Sequence, residues 1–425
     1  MRFWLALAVT LVLAFPASAS AGRLIVTGHD ADRRCALMDQ ECGFLKATIR
    51  YVRESSKPVL VLDHGTKQLA VAIRKAWTSG YSYKGPKVVV VDPRALKRGQ
   101  ISVKRYSVVA IASDASCGGC DLDASDAAAI ARRKGDLQTF LSRGGGIFAG
   151  AGGTNARAYY SFAPIPPAQG PNNGPFELTP YGQRIGLKPA DVTCCGVVNT
   201  FVQPDVGAMA VAAQTSSRVA DTLIADGVVR RGKLVATTTI PAVTGQSFVV
   251  QPVSGTVLGH PPDDPVFRRI TGAANLVLGW TLNVTQGRAR LTTAAGSGAD
   301  QQSVDAYEGF FQILQGTGTS PVTDLALRNE NFDAVCGAGG VVPSRVARTS
   351  ASTKSVRHLW ATGKGKFRTV GRFAAAAVRG TQWRTDDRCD GTLITVKTGA
   401  VSVFDQTLKK TVVVTAGHSY LARAA

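Results

Sequence analysis

The chain of 425 residues carries 49 lysines and arginines against 29 aspartates and glutamates, which gives a net charge of +20. This length exceeds what one hydrophobic core usually serves, so two or three domains are expected. No stretch after the N-terminus has eighteen uncharged apolar residues in a row, which excludes a later transmembrane helix of ordinary length.

Residues 1–21 have the pattern of a secretory signal peptide. The single charge of Arg2 precedes an apolar run over 3–15, and small residues then permit cleavage after Ala19 or Ala21. The run is too short to span a bilayer, although a signal anchor is the alternative interpretation. We therefore expect a mature protein that is secreted or associated with the cell wall.

The cysteines all lie beyond this segment, at Cys35, Cys42, Cys117, Cys120, Cys194, Cys195, Cys336 and Cys389. An even number in an exported chain predicts disulfides. Proximity pairs Cys35 with Cys42 and leaves Cys336 and Cys389 as the pair of the C-terminal half. Because a bond between adjacent cysteines is strained, we expect cross-pairing between the 117/120 group and the 194/195 group. A redox pair at Cys117 and Cys120, or a zinc site at all four of these cysteines, stays open.

The first domain is predicted over residues 22–240. From Arg23 to about Gly153 it alternates short apolar runs with amphipathic stretches, the pattern of a parallel sheet covered by helices. The predicted strands are RLIVTG from Arg23, PVLVLD from Pro58, KVVVVD from Lys87, SVVAIASD from Ser107 and GGIFAGAGG from Gly145. The predicted helices are FLKATIRYVRES, TKQLAVAIRKAW and the stretch from Ser125 to Leu141, with Asp123 or Ser125 as its N-cap.

Long loops are predicted from about Ala163 to Pro204, and strand and helix signals from Ala208 to Ala236 complete this first domain. After residue 240, short alternating runs separated by glycine predict an all-β region. NVTQGRARLTTA from Asn283 and TVKTGAVSVFD from Thr395 both read as strand, glycine turn, strand, and look like diverged copies. A possible linker over 344–355 divides this region into two β domains, 241–343 and 356–425.

The first region resembles a known superfamily. TGHD after the first strand, SVVAIASD and SRGGGIFAGAGG resemble the class I glutamine amidotransferase-like superfamily, including ThuA-like proteins, over about residues 23–236. The resemblance implies a flavodoxin-like parallel sheet. An amidotransferase needs a cysteine at a tight turn between strand and helix, plus a histidine oriented by a carboxylate. That turn falls at 150–153 and has no nucleophile before Thr154, so we expect the amidotransferase chemistry to be lost.

The second region resembles FecR-like β domains. The resemblance rests on VSGTVLGH from Val253, TQGRARLTTA from Thr285, AAVRGTQWRTDD from Ala376, VKTGAVSVFD from Val396 and VVVTAGHSYL from Val412. FecR proteins are sensor partners in bacterial envelope signalling. We expect neither a transmembrane helix nor a cytoplasmic segment here, so a signalling role rests on this analogy alone.

Polar side chains follow several predicted strands, where open α/β sheets place their ligands. The candidate binding residues are His29, Asp30, Asp63, His64, Asp114 and Asn155. They are predicted to bind a cation, a sugar or a small polar ligand, or alternatively to cap loops and helices. His260, with Asp263 and Asp264 nearby, is similar to a ThuA-like His-Pro motif, and a turn is the other interpretation. Trp360, Trp383 and Tyr420 are predicted to pack the C-terminal core.

From Arg345 to the end, 15 lysines and arginines face 4 aspartates and glutamates. This basic tail favours an anionic cell-wall polymer or glycan as partner, and no nucleic-acid motif accompanies it. The preferred hypothesis is a non-catalytic binding or scaffold protein without a cofactor or metal. The alternatives are a ThuA-like hydrolase or isomerase acting on a sugar or small polar substrate through His29, Asp30, Asp114 or His260, and an envelope signalling component.

Overall fold

The computed structural model describes residues 22–114, 122–205, 207, 209–230, 233–236, 241–296, 300–328, 332–336, 353–378 and 380–424. The predicted signal peptide, Cys117, Cys120 and residues 344–352 of the possible linker lie outside these ranges. Within the described chain, no helix is both long enough and apolar enough to cross a membrane. Two hydrophobic cores divide the described residues into an α/β unit, with core residues between 24 and 225, and a β unit, with core residues between 248 and 422.

The α/β unit contains eight helices and thirteen strands among its described residues. The helices are α1 Ala31–Met38, α2 Cys42–Val52, α3 Gln68–Trp77, α4 Ala124–Arg132, α5 Lys134–Ser142, α6 Ala156–Tyr159, α7 Pro180–Arg184 and α8 Ala190–Thr193, with 3-10 turns at Pro93–Ala95 and Gly153–Asn155. The strands are β1 Gly22–Thr27, β2 Val59–Leu62, β3 Thr78–Ser79, β4 Ser82–Tyr83, β5 Val88–Val91, β6 Val108–Ile111, β7 Gly146–Ala149, β8 Ala168–Gln169, β9 Phe176–Leu178, β10 Thr200–Phe201, β11 Ala210–Thr215, β12 Ala220–Arg230 and β13 Lys233–Ala236.

Five parallel strands form the centre of the main sheet, in the order β5-β2-β6-β7-β1. Every residue of β2, β6 and β7 is buried, as expected for apolar strands covered on both faces. The sheet is mixed, because β12 runs antiparallel along the outer edge of β1 and leads on to β10 and β8. The prediction of an α/β region with a largely parallel sheet is confirmed.

The strand order differs from the flavodoxin-like arrangement that the resemblance implied. Counted along the chain, the parallel strands lie in the order third, second, fourth, fifth, first, whereas flavodoxin-like sheets have second, first, third, fourth, fifth. The reason is that β5 and β6 pair with the two edges of β2, so β1 cannot pair with β2. β1 lies between β7 and β12.

A capping box explains where α4 begins. Asp123 accepts hydrogen bonds from the backbone amides of Ser125 and Asp126, and Asp126 bonds back to the Asp123 amide, which makes a capping box. Asp123 is therefore the N-cap. The helix predicted from Ser125 to Leu141 is two helices, because α4 ends at Arg132 and α5 begins at Lys134.

Two of the predicted disulfides are present, and the doublet pairs differently. Cys35 bonds to Cys42 and Cys336 bonds to Cys389, as predicted. Cys194 and Cys195 bond to each other instead of cross-pairing. Both of their sulfurs lie beside the loop between α1 and α2, 3.7 Å from side-chain oxygens of Glu41 and Gln40.

The β unit consists of two packed sheets and one short helix, α9 Phe332–Cys336. Its strands are β14 Ser247–Gly255, β15 Leu258–His260, β16 Arg268–Arg269, β17 Ala274–Val277, β18 Thr281–Asn283, β19 Gly287–Ala294, β20 Gln301–Tyr307, β21 Phe310–Gln315, β22 Thr323–Leu327, β23 Ser355–Lys364, β24 Phe367–Val370, β25 Ala374–Val378, β26 Thr381–Arg388, β27 Gly391–Thr398, β28 Ala400–Asp405, β29 Lys410–Thr415 and β30 Ser419–Arg423.

The eight-stranded sheet has the order β17-β14-β19-β20-β23-β26-β27-β30, and the nine-stranded sheet β16-β15-β18-β21-β22-β24-β25-β28-β29. The predicted β domains, 241–343 and 356–425, share both sheets, because β20 pairs with β23 and β22 with β24. They also share one core, which runs from Phe248 to Ala422.

The two segments that look like diverged copies are each strand, turn, strand, but they are not equivalent in the fold. The first crosses from β18 in the nine-stranded sheet to β19 in the eight-stranded sheet, while the second crosses from β27 to β28 in the opposite direction. By sheet position, β18 and β19 correspond to β25 and β26.

The α/β and β units contact each other directly. Arg218 pairs with Asp263, and the Asn275 amide donates to the Tyr181 hydroxyl at 3.3 Å. Gly207 and Gly272 approach so closely that a Cβ on either would lie 2.3 Å from the carbonyl oxygen of the other. This contact requires glycine at both positions.

Candidate functional site

His29 lies in a buried cluster of alternating charges at the end of β1. Its Nδ1 is 3.0 Å from Glu41 Oε1, and its Nε2 is 3.3 Å from Asp221 Oδ2. Arg34 donates to the same Glu41 oxygen at 2.7 Å. His29, Glu41 and Asp221 side chains are fully buried, and the His29 ring packs on Phe44 with 4.5 Å between centroids.

The carboxylates keep His29 protonated. Burial by itself lowers the His29 pKa, but the hydrogen bonds to Asp221 and Glu41 outweigh it and raise the pKa to about 9. Burial raises the pKa of Glu41, yet its bonds to His29 and Arg34 bring the pKa below the usual value. Both ring nitrogens are engaged, and no part of the ring reaches solvent. His29 therefore links β1, β12 and the loop between α1 and α2, and it is not placed to bind a ligand.

The acidic candidates occupy neighbouring strand ends. Asp63 is buried after β2, where its carboxylate accepts from the His64 and Leu69 amides at 2.8 and 3.0 Å. Burial, together with the negative charge of Asp32, raises the Asp63 pKa to about 7. His64 Nδ1 lies 2.9 Å from Asp126 Oδ2, on the outer side of this group. Asp63 and His64 therefore organise the loop after β2.

Asp114 and Asn155 are brought together at the ends of β6 and β7. Asn155 Nδ2 donates to Asp114 Oδ1 at 3.3 Å, and burial raises the Asp114 pKa to about 6. Ser113, just before, donates to Asp32 through its amide and hydroxyl at 2.8 and 2.6 Å. Asp114 and Asn155, two of the candidate binding residues, are therefore in contact at the carboxyl edge of the sheet.

Side chains of Ser113 and Asn199 hold the backbone of the turn after β7. Ser113 Oγ accepts from the Ala151 amide at 3.2 Å, and Asn199 Oδ1 accepts from the Gly152 amide at 2.9 Å. Gly153 adopts a φ of 47°, in the left-handed region that favours glycine. Thr154 follows Gly153 directly and is exposed.

A cleft of about 830 Å³ opens at this carboxyl edge. Its walls come from the start of α1, from residues 153–157, from residues 168–173 and from residues 196–198. The polar and charged side chains that line it are Asp30, Arg33, Arg34, Thr154, Arg157, Gln169 and Asn173. Among the described residues, Arg33 and Arg157 have no carboxylate partner, so this cleft has an excess of positive charge.

The arginines were missed at the sequence level, although a signal for them was present. Arg33 and Arg34 form a doublet directly after the first strand, in TGHDADRR, at the sheet edge where ligands are expected. Arg34 also fixes the cleft wall, because it donates to the Gly196 carbonyl at 2.5 Å. Of the predicted residues, Asp30 alone lines this cleft.

The structure does not bring His260 to this edge. His260 ends β15 in the β unit, where its Nδ1 donates to the Pro261 carbonyl at 2.8 Å and its ring packs edge-on against Phe267. Asp263 pairs with Arg218 and Asp264 with Arg268, so neither contacts His260 as a partner acid. The interpretation of this segment as a turn is supported.

The predicted core aromatics separate into two groups. Trp383 is fully buried, and Tyr420 packs against the core with its hydroxyl donating to Asp405 at 2.8 Å. Trp360 is half-buried outside the core, and its ring stacks on Tyr307 at 6.0 Å between centroids. The core assignment of Trp360 is therefore wrong.

One set of metal-ligating side chains meets within the described residues. Donor atoms of Glu41, Cys194 and Cys195 lie within 4.8 Å of one another. The two sulfurs are joined in a disulfide and offer no thiolate, while Glu41 is already engaged by His29 and Arg34. This group does not fit a metal ion in its oxidised form.

The fold and the cleft define an α/β protein with an arginine-lined carboxyl-edge cleft, joined to a β sandwich. Comparison of the chain with protein-family models, curated proteins and solved structures finds no match.

Proposed function

We propose that this is an exported, non-catalytic binding protein whose α/β unit holds anionic groups of a glycan or cell-wall polymer in the cleft at the carboxyl edge. The observation that carries the proposal is the excess of arginine in that cleft. Guanidinium groups bind carboxylate and phosphate through paired hydrogen bonds. Thr154, Gln169 and Asn173 add the amides and hydroxyl that sugar hydroxyl groups need as partners.

One observation favours binding over the rival hydrolase or isomerase. The rival needs His29, Asp30, Asp114 or His260 to reach one substrate, whereas His29 is enclosed and His260 belongs to the β unit. Envelope signalling rests on the FecR-like resemblance alone.

A pair of double variants tests the proposal. R33Q/R157Q removes two cleft charges, and K104Q/R105Q removes two exposed charges that do not line this cleft. We expect labelled tri-galacturonate to bind the wild type at low salt and to lose about 30-fold in affinity with R33Q/R157Q, since two charge-assisted contacts of about 1 kcal/mol each are removed.

The control K104Q/R105Q should bind tri-galacturonate within about twofold of the wild type, which corresponds to the small effect of distant charges under screening. Neutral maltotriose should not bind. Equal binding of maltotriose, or full affinity in R33Q/R157Q, would refute the assignment of the anion site to this cleft.

A further inference from the structure

A second cavity, of about 480 Å³, borders the cleft that contains Arg33 and Arg157, the arginine cleft. Ala156, Arg157 and Ala168 line both cavities. A ligand held by the Arg157 guanidinium is therefore next to the second cavity. The other residues that line this second cavity, here named the proline cavity, are Tyr160, Ser161, Ala163, Ile165, Pro166 and Pro167.

The proline cavity differs from the arginine cleft in chemistry. Six of its nine described lining residues are alanine, isoleucine or proline, and each of the six is at least partly exposed to solvent. Arg157 is the single charged residue among the nine. The Tyr160 hydroxyl is already engaged, because it lies 2.8 and 2.7 Å from the Thr27 and Gly150 carbonyl oxygens. This cavity therefore suits an apolar group better than a ring of sugar hydroxyls.

The wall over residues 163–167 is fixed at both ends. Phe162, directly before it, is fully buried, and its carbonyl accepts from Gln138 Nε2 at 3.2 Å. Ala168, directly after it, belongs to β8, which pairs with β10 in the main sheet. Prolines at 164, 166 and 167 restrict the backbone between these ends. The wall is formed before a ligand arrives, so binding costs little ordering of this segment.

We infer that the arginine cleft and the proline cavity together bind an acidic sugar that carries an apolar substituent, an alkyl chain or an aryl ring. The acid group pairs with Arg33 and Arg157, and the substituent packs against Ile165 and Pro167. This inference rests on the proposed function and deepens it, because it names the class of sugar that the cleft takes.

The polar lining of the arginine cleft favours a sugar over a simple fatty acid. Thr154, Gln169 and Asn173 lie in the same cleft as the two arginines. Their hydroxyl and amide groups are suitable partners for sugar hydroxyls. An acid that consists only of a carboxylate and an alkyl chain has no group to pair with them.

A ligand series tests the two-part site in the full chain, by isothermal titration calorimetry at low salt. Methyl β-glucuronide presents the acidic sugar alone. Phenyl and butyl β-glucuronide add a ring or a chain to it, and so distinguish the two kinds of substituent. Phenyl β-glucoside has the ring without the acid, and octanoate has the acid and a chain without the sugar.

Four variants accompany this series. Ile165→Thr and Pro167→Thr each make the proline cavity more polar, and Arg33→Gln removes a charge that lines the arginine cleft alone. Val71→Thr is the matched control, because Val71 is exposed on α3 and lines neither cavity. Ile165 packs partly against the core, whereas Pro167 is exposed, so Pro167→Thr keeps the test valid if Ile165→Thr is unstable. Thermal unfolding checks each variant.

We expect phenyl or butyl β-glucuronide to bind the wild type about tenfold more tightly than methyl β-glucuronide, the gain from covering about 55 Å² of apolar surface. Ile165→Thr and Pro167→Thr should each reduce that gain to about threefold or less and leave methyl β-glucuronide within twofold. Arg33→Gln should weaken all three glucuronides alike, and Val71→Thr should match the wild type. Phenyl β-glucoside and octanoate should bind at least tenfold more weakly than the best glucuronide.

The outcomes separate this inference from the proposed function. If the three glucuronides bind equally and Arg33→Gln weakens them all, the apolar subsite is refuted and the proposed function stands. If the gain from the substituent persists in both Ile165→Thr and Pro167→Thr, the substituent does not lie in the proline cavity. If Arg33→Gln weakens no glucuronide, or phenyl β-glucoside binds as tightly as phenyl β-glucuronide, the proposed anion site fails. Tighter binding of octanoate than of butyl β-glucuronide would overturn the assignment to a sugar.

Discussion

Buried carboxylates of the two units differ in the hydrogen-bond and ion-pair partners that surround them. In the β unit, Asp387 is buried but receives Arg357 at 2.7 Å and the Thr392 hydroxyl at 2.5 Å. In the α/β unit, Asp63 lies buried near a second carboxylate, and Asp114 is buried with a single side-chain donor, so both pKa values are raised. The charge of Asp387 is therefore balanced by its neighbours, whereas Asp63 and Asp114 at the strand ends of the α/β unit are the kind of perturbed carboxylates found in ligand sites.

The same contrast applies to the arginines. Four arginines of the basic tail pair with carboxylates: Arg357 with Asp387, Arg368 with Asp324, Arg384 with Asp386 and Arg388 with Asp390. Formal charge alone favours the tail as the anion-binding region. Arg33 and Arg157 of the α/β unit, in contrast to these four arginines, have no carboxylate partner among the described residues.

Replacing His29 should have the largest effect on stability, because it leaves Glu41 and Asp221 buried with less compensation. We expect His29→Leu to lower the free energy of unfolding of the α/β unit by about 3–5 kcal/mol. His418→Leu is the matched control in the β unit, since His418 is exposed, and should change stability by less than about 0.5 kcal/mol. Urea denaturation measures both, and equal losses would contradict the structural role of His29.

The pH dependence gives His29 a second signature. Because its pKa is raised to about 9 in the folded state, protonated His29 stabilises the fold fully below the unfolded pKa of about 6.5 and loses that contribution as pH rises through 9. The loss should be about 3 kcal/mol between these limits. Unfolding measured from pH 6 to pH 10 should show this decline in the wild type and not in His29→Gln. If the free energy of unfolding declined equally in both proteins, the decline could not be assigned to His29.

Disulfide removal should affect the two units unequally. The Cys336–Cys389 bond joins residues 53 apart, while Cys35–Cys42 joins residues 7 apart. Chain entropy predicts a loss of about 4 kcal/mol for C336A/C389A and about 2 kcal/mol for C35A/C42A. Denaturant unfolding, followed for the β unit through Trp280 and Trp383, measures the first change. A larger loss from the short loop would reverse the expected order.

The smallest predicted effect on stability comes from Trp360, which belongs to a row of stacked side chains on the eight-stranded sheet. Arg288, Tyr307, Trp360 and Arg384 lie directly opposite one another on four adjacent strands, with both arginines over aromatic rings. Trp360→Ala should destabilise the β unit by about 1–2 kcal/mol, the range of one aromatic pair and one cation–π contact. Trp360→Phe should recover about half of that loss. A loss above 3 kcal/mol would instead place Trp360 among core residues.

The sequence predicted the central strands well because their pattern is local. The valine, leucine and isoleucine runs of β2, β6 and β7 are buried throughout, so each strand was predicted within a few residues. The expected flavodoxin-like strand order was wrong. Strand order depends on which strand edges remain free after other strands have paired, and this is not a local property of the sequence. The split of the β region failed for the same reason, since β20 and β23 pair across the segment that reads as a linker.

The candidate site was predicted only in part. Asp30, Asp114 and Asn155 lie at the carboxyl edge as expected from strand ends. His29 looked like a ligand because Asp221, the partner that encloses it, is 192 residues away in the sequence. The cleft arginines were overlooked because arginine on a helix usually reads as a solvated face.

Hydrogen–deuterium exchange with and without an eight-unit galacturonate oligomer tests the central claim most directly, because it locates bound glycan along the whole chain. We predict slower exchange at 30–34, 153–157 and 196–198 on the α/β unit, with the basic tail over 353–424 unchanged. Protection confined to the tail, with none around the arginine cleft, would contradict this account.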